Sequence, residues 1–286
     1  MVRSDLAGNI YTEDQFDSIL PMFYYRQLIS DERFPDSING IAVTPRMIQT
    51  ENFNLRNNPE DINAPKIGLY PLLESLSGRV DLVMPDDVCR FTPHGVEFID
   101  MASNSVNEAK SQLFTEAMTK KGFQFPMTEI SGNPTVKKEY DEGYVLLDAK
   151  HQLFHLKQVK GRPYVRAVVL PEGLTLKHLY ITEFRSRKTL ALMTDVANHL
   201  YVLDKGYNVV KTGIPSYNPE TQVLTVIGNM FDWTVRVTGP EEDNYYALNA
   251  NDYSLIKSFE SKTKYTGLPG ICFTSYANKY VMPHIE

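Results

Sequence analysis

Residues 146–156 read LLDAKHQLFHL, and residues 192–203 read LMTDVANHLYVL. In both, an apolar run ends in an aspartate, a short polar break follows, and a second apolar run begins. Asp148 and Asp195 lie 47 residues apart, as do Leu153 and Leu200, so the two segments match without a gap. Short apolar runs bounded by turn residues predict strands, here paired as hairpins. A strand that precedes such a hairpin recurs too, as HLYITEF (178–184) and VLTVIGNMF (223–231). A third hairpin spans 233–248. A fourth spans 271–282, where YANKYV echoes VANHLYV. Each unit offers about four strands in about 45 residues, the blade size of a β-propeller. The expected fold is therefore mainly β, a propeller-like antiparallel β domain of about four to five hairpin units. Hairpins 144–157 and 190–204 then belong to separate sheets. An antiparallel β-sandwich is the alternative, because the spacing drifts and no WD or kelch signature is present.

Upstream the pattern changes period. Thr12 and Gln15 form a capping-box pair, and Phe16, Ile19 and Leu20 share one face at helical spacing. Pro21 is suited to restart a helix through MFYYRQLIS, and residues 36–76 are rich in turn residues. This gives a helical and loop-rich segment, 1–76, ahead of a β domain, 78–286. The segment is expected to dock on the β domain, because Phe16, Leu20, Phe23 and Tyr24 carry much apolar surface. A meander of RVDLVM, VCRFT and VEFID follows over 78–100. A helix over 105–121 is then inserted among the strands, with Ser105 and Glu108 as a capping box and Gly122 beyond its end. Val106, Ala109, Leu113, Ala117 and Met118 form its apolar stripe and are expected to be buried. Phe114 lies beside the stripe and, with Phe123 and Phe125, is expected to mark the edge of an interaction face.

Charge narrows the function classes. The 286 residues carry 29 basic and 35 acidic side chains, a net charge of −6. A nucleic-acid binder concentrates Lys and Arg, and the densest basic run here, RSRK (185–188), falls in a turn between strands. No run of 18 apolar residues occurs. The two cysteines, Cys89 and Cys272, follow no metal or redox spacing and sit in strand-like runs; a disulfide between them would require the chain ends to meet.

Chemistry-bearing residues are sparse. His151 and His155 are four apart, which on a strand separates them by about 13 Å, too far to share a metal. Asp148 and Asp195 stand where strands enter turns, a placement explained by side-chain bonds to backbone amides. PDD (85–87), DEGY (141–144) and PEEDN (240–244) are acidic clusters. Asp141 and Glu142 of DEGY are singled out as binding candidates, because they precede a buried strand. No G-x-S-x-G, phosphate-binding or dinucleotide-binding motif occurs, so no catalytic residue, metal or cofactor is assigned.

The segments LPMFYYRQL (20–28), VNEAKSQLFTEAM (106–118), GNPT (132–135) and DEGYVLLDAKHQLFHLK (141–157) resemble a Bacteroidales family known as domain of unknown function 4857. The resemblance implies a cell-envelope protein with an N-terminal membrane segment, encoded near ABC-transporter components. This chain would then be its soluble, extracytoplasmic (periplasmic) portion, joined to the membrane only through an anchor not present here. The family supplies no catalytic residues. The expected function is a non-enzymatic interaction or scaffold module that binds a protein partner in the envelope, a transporter component among the candidates. The alternative is a hydrolase of saccharides or peptides using loop carboxylates, and a small-ligand sensor is a third option.

Overall fold

A computed structural model describes residues 3–5, 7–75, 81–240, 242–262, 271–276 and 280–285. The N-terminal segment begins with a two-residue pair, β1 (Arg3–Ser4) and β2 (Ile10–Tyr11), followed by α1 (Glu13–Ile19) and α2 (Tyr25–Ser30). The Thr12–Gln15 capping box forms as expected. Pro21 does not open a helix; it sits in a turn, and α2 starts four residues later. A small hairpin, β3 (Ser37–Ile38) with β4 (Ile41–Ala42), leads to α3 (Pro45–Glu51), β5 (Phe53–Asn57) and α4 (Pro59–Asn63).

Next comes a three-stranded sheet of β6 (Asp87–Phe91), β7 (Val96–Asp100) and β8 (Ser105–Val106). The first strand expected of the meander is absent over residues 81–84; Tyr70 bridges Cys89 of β6 instead. Helix α5 (Glu108–Lys120) follows. Its cap is Asn107, whose Oδ1 accepts from the Lys110 amide at 3.0 Å, not the expected Ser105–Glu108 box, because Ser105 is already committed to β8. At the other end Gly122 adopts φ +92°, and the Phe123 amide reaches the Met118 carbonyl at 3.1 Å, as a Schellman motif requires.

Three four-stranded meanders follow in chain order. The first runs β9 (Glu129–Gly132), β10 (Tyr144–Leu147), β11 (Leu153–Val159) and β12 (Arg162–Val168). The second runs β13 (Leu176–Ile181), β14 (Thr189–Asp195), β15 (Leu200–Asp204) and β16 (Val209–Lys211). The third runs β17 (Val223–Gly228), β18 (Asp232–Thr238), β19 (Glu242–Asn249) and β20 (Leu255–Lys262), and β5 adds to it beside β17. A last hairpin pairs β21 (Ile271–Tyr276) with β22 (Tyr280–Ile285). Through β5 the N-terminal segment thus supplies a strand to the third meander. All pairings between these strands are antiparallel, and the sheets do not close on themselves.

The two matched hairpins fall in separate sheets, as a bladed arrangement demands, and their turns are built alike. Asp148 Oδ1 accepts from the amides of Lys150 and Gln152 at 2.8 and 2.9 Å. Asp195 Oδ1 accepts from Ala197 and His199 at 2.9 and 2.8 Å. The residue three positions on has positive φ in both, His151 at +57° and Asn198 at +64°. The aspartate serves the turn, which is why it recurs at the repeat.

Alternation of side chains along each strand then stacks the sheets. Tyr144 and Leu146 face one apolar cluster with Phe98, Phe114 and Met118. Val145 and Leu147 face another, shared with Ala191 and Met193. Leu192, on the opposite face of β14, enters a third with Val226, Trp233 and Val235. A strand apolar on both faces needs a sheet on each side, so the three clusters are the layers between successive sheets. The fold is mainly β and propeller-like.

Helix α5 covers an edge of this stack. The Phe98 amide donates to Ser111 Oγ at 2.9 Å and the Val96 amide to Thr115 Oγ1 at 3.0 Å, so two hydroxyls satisfy strand groups that a further strand would otherwise pair. Between them Phe114 is wholly buried against Phe98, with ring centroids 4.6 Å apart. The expected stripe is therefore corrected: the buried face is Ser111, Phe114 and Met118, while Leu113 is 45% exposed.

Candidate functional site

Of the residues singled out in the sequence, Phe114 and Phe123 are core. Phe123 packs on Phe154, and Phe125 lies half-buried beside it. The expectation that they edge an interaction face fails for Phe114, which α5 sets against Phe98, and for Phe123, which the Gly122 turn folds back onto β11. Cys89 is buried with a free thiol that burial pushes up to about 12, which makes it inert. The side chain of Cys272 lies outside the described residues. His151 occupies its turn, and His155 is buried on β11, well apart in role.

Asp141 and Glu142 are buried at the start of β10, within a network of charges between the first two meanders. Gly143 makes the approach possible: its φ is +63°, and a Cβ there would lie 2.2 Å from the Leu156 carbonyl oxygen. Lys138 Nζ donates to Asp141 at 2.7 Å and to Glu183 at 2.6 Å. Glu142 receives Lys157 at 2.9 Å and also Lys205. Burial works to raise Glu142, but the two ammonium groups outweigh it and hold its carboxyl below the ordinary range. At Glu183 burial wins and the carboxyl is raised. His155 Nε2 lies 2.6 Å from the Glu142 carbonyl oxygen, so it carries the proton and donates. Its Nδ1 then accepts from the Tyr207 hydroxyl at 2.7 Å. Three carboxylates face three ammonium groups, each already paired, so the network is electrically closed and suited to holding two sheets in register.

The open site lies elsewhere. A cleft of about 580 Å³ runs along the neighbouring first strands of two meanders, β9 and β13, under the segment that follows α4. The two strands are tied by the Ile181 amide donating to Ser131 Oγ at 2.9 Å. Tyr70, Tyr144 and Tyr180 contribute rings to the walls, and Tyr70 meets Tyr144 edge-on at 5.9 Å. Burial raises all three phenols, so the rings are uncharged at neutral pH. Burial, with Lys177 nearby, lowers His178 and keeps it neutral as well. Asp61, Lys66 and Glu129 supply the formal charges of the lining. Lys66 Nζ sits 2.7 Å from both oxygens of Glu129. Sequence reading missed this site because its residues are scattered from 57 to 180 and share no motif.

A second feature is a set of exposed apolar side chains along residues 10–24, from β2 through α1 into the turn before α2. Ile10 is 75%, Phe23 57% and Ile19 50% exposed, and Leu20 and Tyr24 are also exposed. Within the segment Met22 and Leu28 are buried, and Asn52 Nδ2, at the end of α3, donates to the Met22 carbonyl at 2.8 Å. Ile10 and Ile19 line a shallow hollow with Tyr11, Asp14, Ser18 and Arg33. Among the described residues no helix is long and apolar enough to cross a membrane, and no group of three or more His, Cys, Asp or Glu could hold a metal ion.

Among solved structures the chain is similar to the Dos1 propeller, at a TM-score of 0.35 and 10% identity over 62% of this chain and 45% of that one. It is also similar to the β-propeller domain of Myceliophteria thermophila Cps50 (Swd1), at 0.35 and 10% over 69% and 57%. A third likeness is to the dihydro-heme d1 dehydrogenase NirN, at 0.30 and 11% over 88% and 61%. The chain thus spans less than two thirds of the length of each. No curated protein matches it. Residues 1–248 match the family model described as Domain of unknown function (DUF4857).

Proposed function

The chain belongs to the DUF4857 family, and from that premise we propose that it is a non-enzymatic interaction module whose N-terminal helices dock a protein partner. The carrying observation is the exposure of Ile10, Ile19, Phe23 and Tyr24 within residues 10–24, which run from β2 through α1 into the turn before α2. Solvent-exposed apolar side chains so grouped mark an interaction surface. Residues 1–36 carry seven carboxylates against three arginines, so the partner presents basic groups around an apolar centre. The family resemblance read from the sequence motifs is the ground for placing it on the extracytoplasmic side and for an envelope protein, such as a transporter component, as that partner. Against the hydrolase alternative stands the state of Asp141, Glu142 and Glu183, each held by an ammonium group and none free to move a proton.

A photo-crosslinking residue at Phe23 tests this in cells. The expected outcome is one discrete adduct, mapped to a basic, apolar segment of another protein and weakened by salt. A control position at Val169, more exposed than Phe23 but on the β domain, should give no such adduct. An adduct between two copies of this chain, or the same products from both positions, would overturn the proposal.

A further inference from the structure

The cleft between β9 and β13 already contains a cation, and that cation belongs to the protein. The segment 64–69 crosses the cleft without regular secondary structure. It is anchored before the crossing by Asn63 Nδ2 donating to the Glu220 carbonyl at 3.1 Å. It is anchored after it by the Tyr70–Cys89 bridge, with backbone hydrogen bonds of 2.8 and 2.9 Å. Between the anchors Ile67 is 89% exposed and Leu69 is exposed too, so the strap gains little from apolar burial. Its attachment to the cleft floor is the Lys66 ammonium, set on both oxygens of Glu129 at 2.7 Å.

We propose that this cleft binds a small organic ammonium ion, and that Lys66 is the tethered cation such a ligand displaces. Tyr70, Tyr144 and Tyr180 offer uncharged aromatic surface, which attracts a cation through the ring quadrupole. Asp61 and Glu129 give the lining two negative charges against the one of Lys66, so an anion is disfavoured and a cation welcome. The volume, about 580 Å³, greatly exceeds what a lysine ammonium occupies and lies in the range of small-molecule sites. Lys66 is itself half-exposed while Glu129 is mostly buried, so the carboxylate is the fixed partner and the lysine the replaceable one. A ligand ammonium that takes Glu129 frees Lys66 to solvent and loosens the strap, coupling occupancy to the surface that residues 64–69 present.

The test is isothermal titration of the full chain with choline and benzyltrimethylammonium, beside 3,3-dimethylbutan-1-ol, the uncharged isostere of choline. Both ammonium ions should bind, and the alcohol should bind about tenfold more weakly, as a cation–π and ion-pair contribution of that size implies. Lys66→Met should tighten ammonium binding about tenfold, because the internal competitor is gone, and Glu129→Gln should weaken it by a similar factor. Trypsin should cut after Lys66 faster when choline is present. Thermal melts establish that both variants are folded. Failure of both ammonium ions to bind Lys66→Met, equal binding of choline and the alcohol, or unchanged affinity on Lys66→Met overturns the proposal.

Discussion

Replacing Phe114 with alanine tests whether α5 is part of the core, and the neighbouring residue provides the control. Phe114 has 0% exposure, packs on Phe98 at 4.6 Å, and faces the layer that also holds Met118, Leu146 and Phe154. Emptying such a site removes the transfer energy of the ring and leaves a cavity, about 3–5 kcal/mol in all. Leu113 is 45% exposed. Losing the covered part of its side chain costs about 1 kcal/mol. For a chain of this length each kcal/mol moves the melting temperature by about 2–4 °C. Phe114→Ala should therefore lower it by roughly 6–20 °C and Leu113→Ala by a few degrees. Urea unfolding followed by circular dichroism should show a lower midpoint for Phe114→Ala with an unchanged slope. Equal effects of the two substitutions, or a silent Phe114→Ala, would show that α5 docks by another face.

Asp148→Ala and Asp195→Ala should each cost about 1–2 kcal/mol in urea melts, since each strips two turn amides of their acceptor. His151→Gly should instead stabilise by about 0.5–1 kcal/mol, because φ is +57° there. Burial lowers His155 from 6.5 to about 4, beside Glu142, Lys157, Lys205 and Tyr207. The unfolded chain therefore takes up that proton first, and its contribution, full above pH 6.5, should be lost as pH falls towards 4, by about 3 kcal/mol. Melts across that window should be flatter for His155→Gln; an unchanged slope would assign the loss to other groups.

The 47-residue spacing was legible because the turn that begins with Asp148 and Asp195 imposes its residues locally, through bonds that span four positions. The Thr12–Gln15 cap and the Gly122 stop were legible for the same reason. The phase of α5 was not, because the face it turns to β7 includes Ser111 and Thr115. Counting apolar residues passes over them, yet their hydroxyls are what the exposed amides of β7 need. The charges of Asp141 and Glu142 stood out in the sequence, but their partners Lys138, Lys157, Glu183 and Lys205 are brought together only by the stacking of two sheets. The cleft was illegible altogether, since a wall made from a strap, two strands and three tyrosines has no local pattern.

The pairing of β5 with β17 joins Phe53–Asn57 to Val223–Gly228, residues separated by most of the chain. During synthesis at about 5–20 residues per second, β5 leaves the ribosome roughly 10–30 s before its partner strand exists. The intervening meanders can stack as they emerge, but the N-terminal helices must wait beside them without the sheet that anchors their last strand. In that interval Phe23 and its neighbours are presented on an unsecured arm, so a cellular factor that recognises them has its best opportunity before the third meander is made.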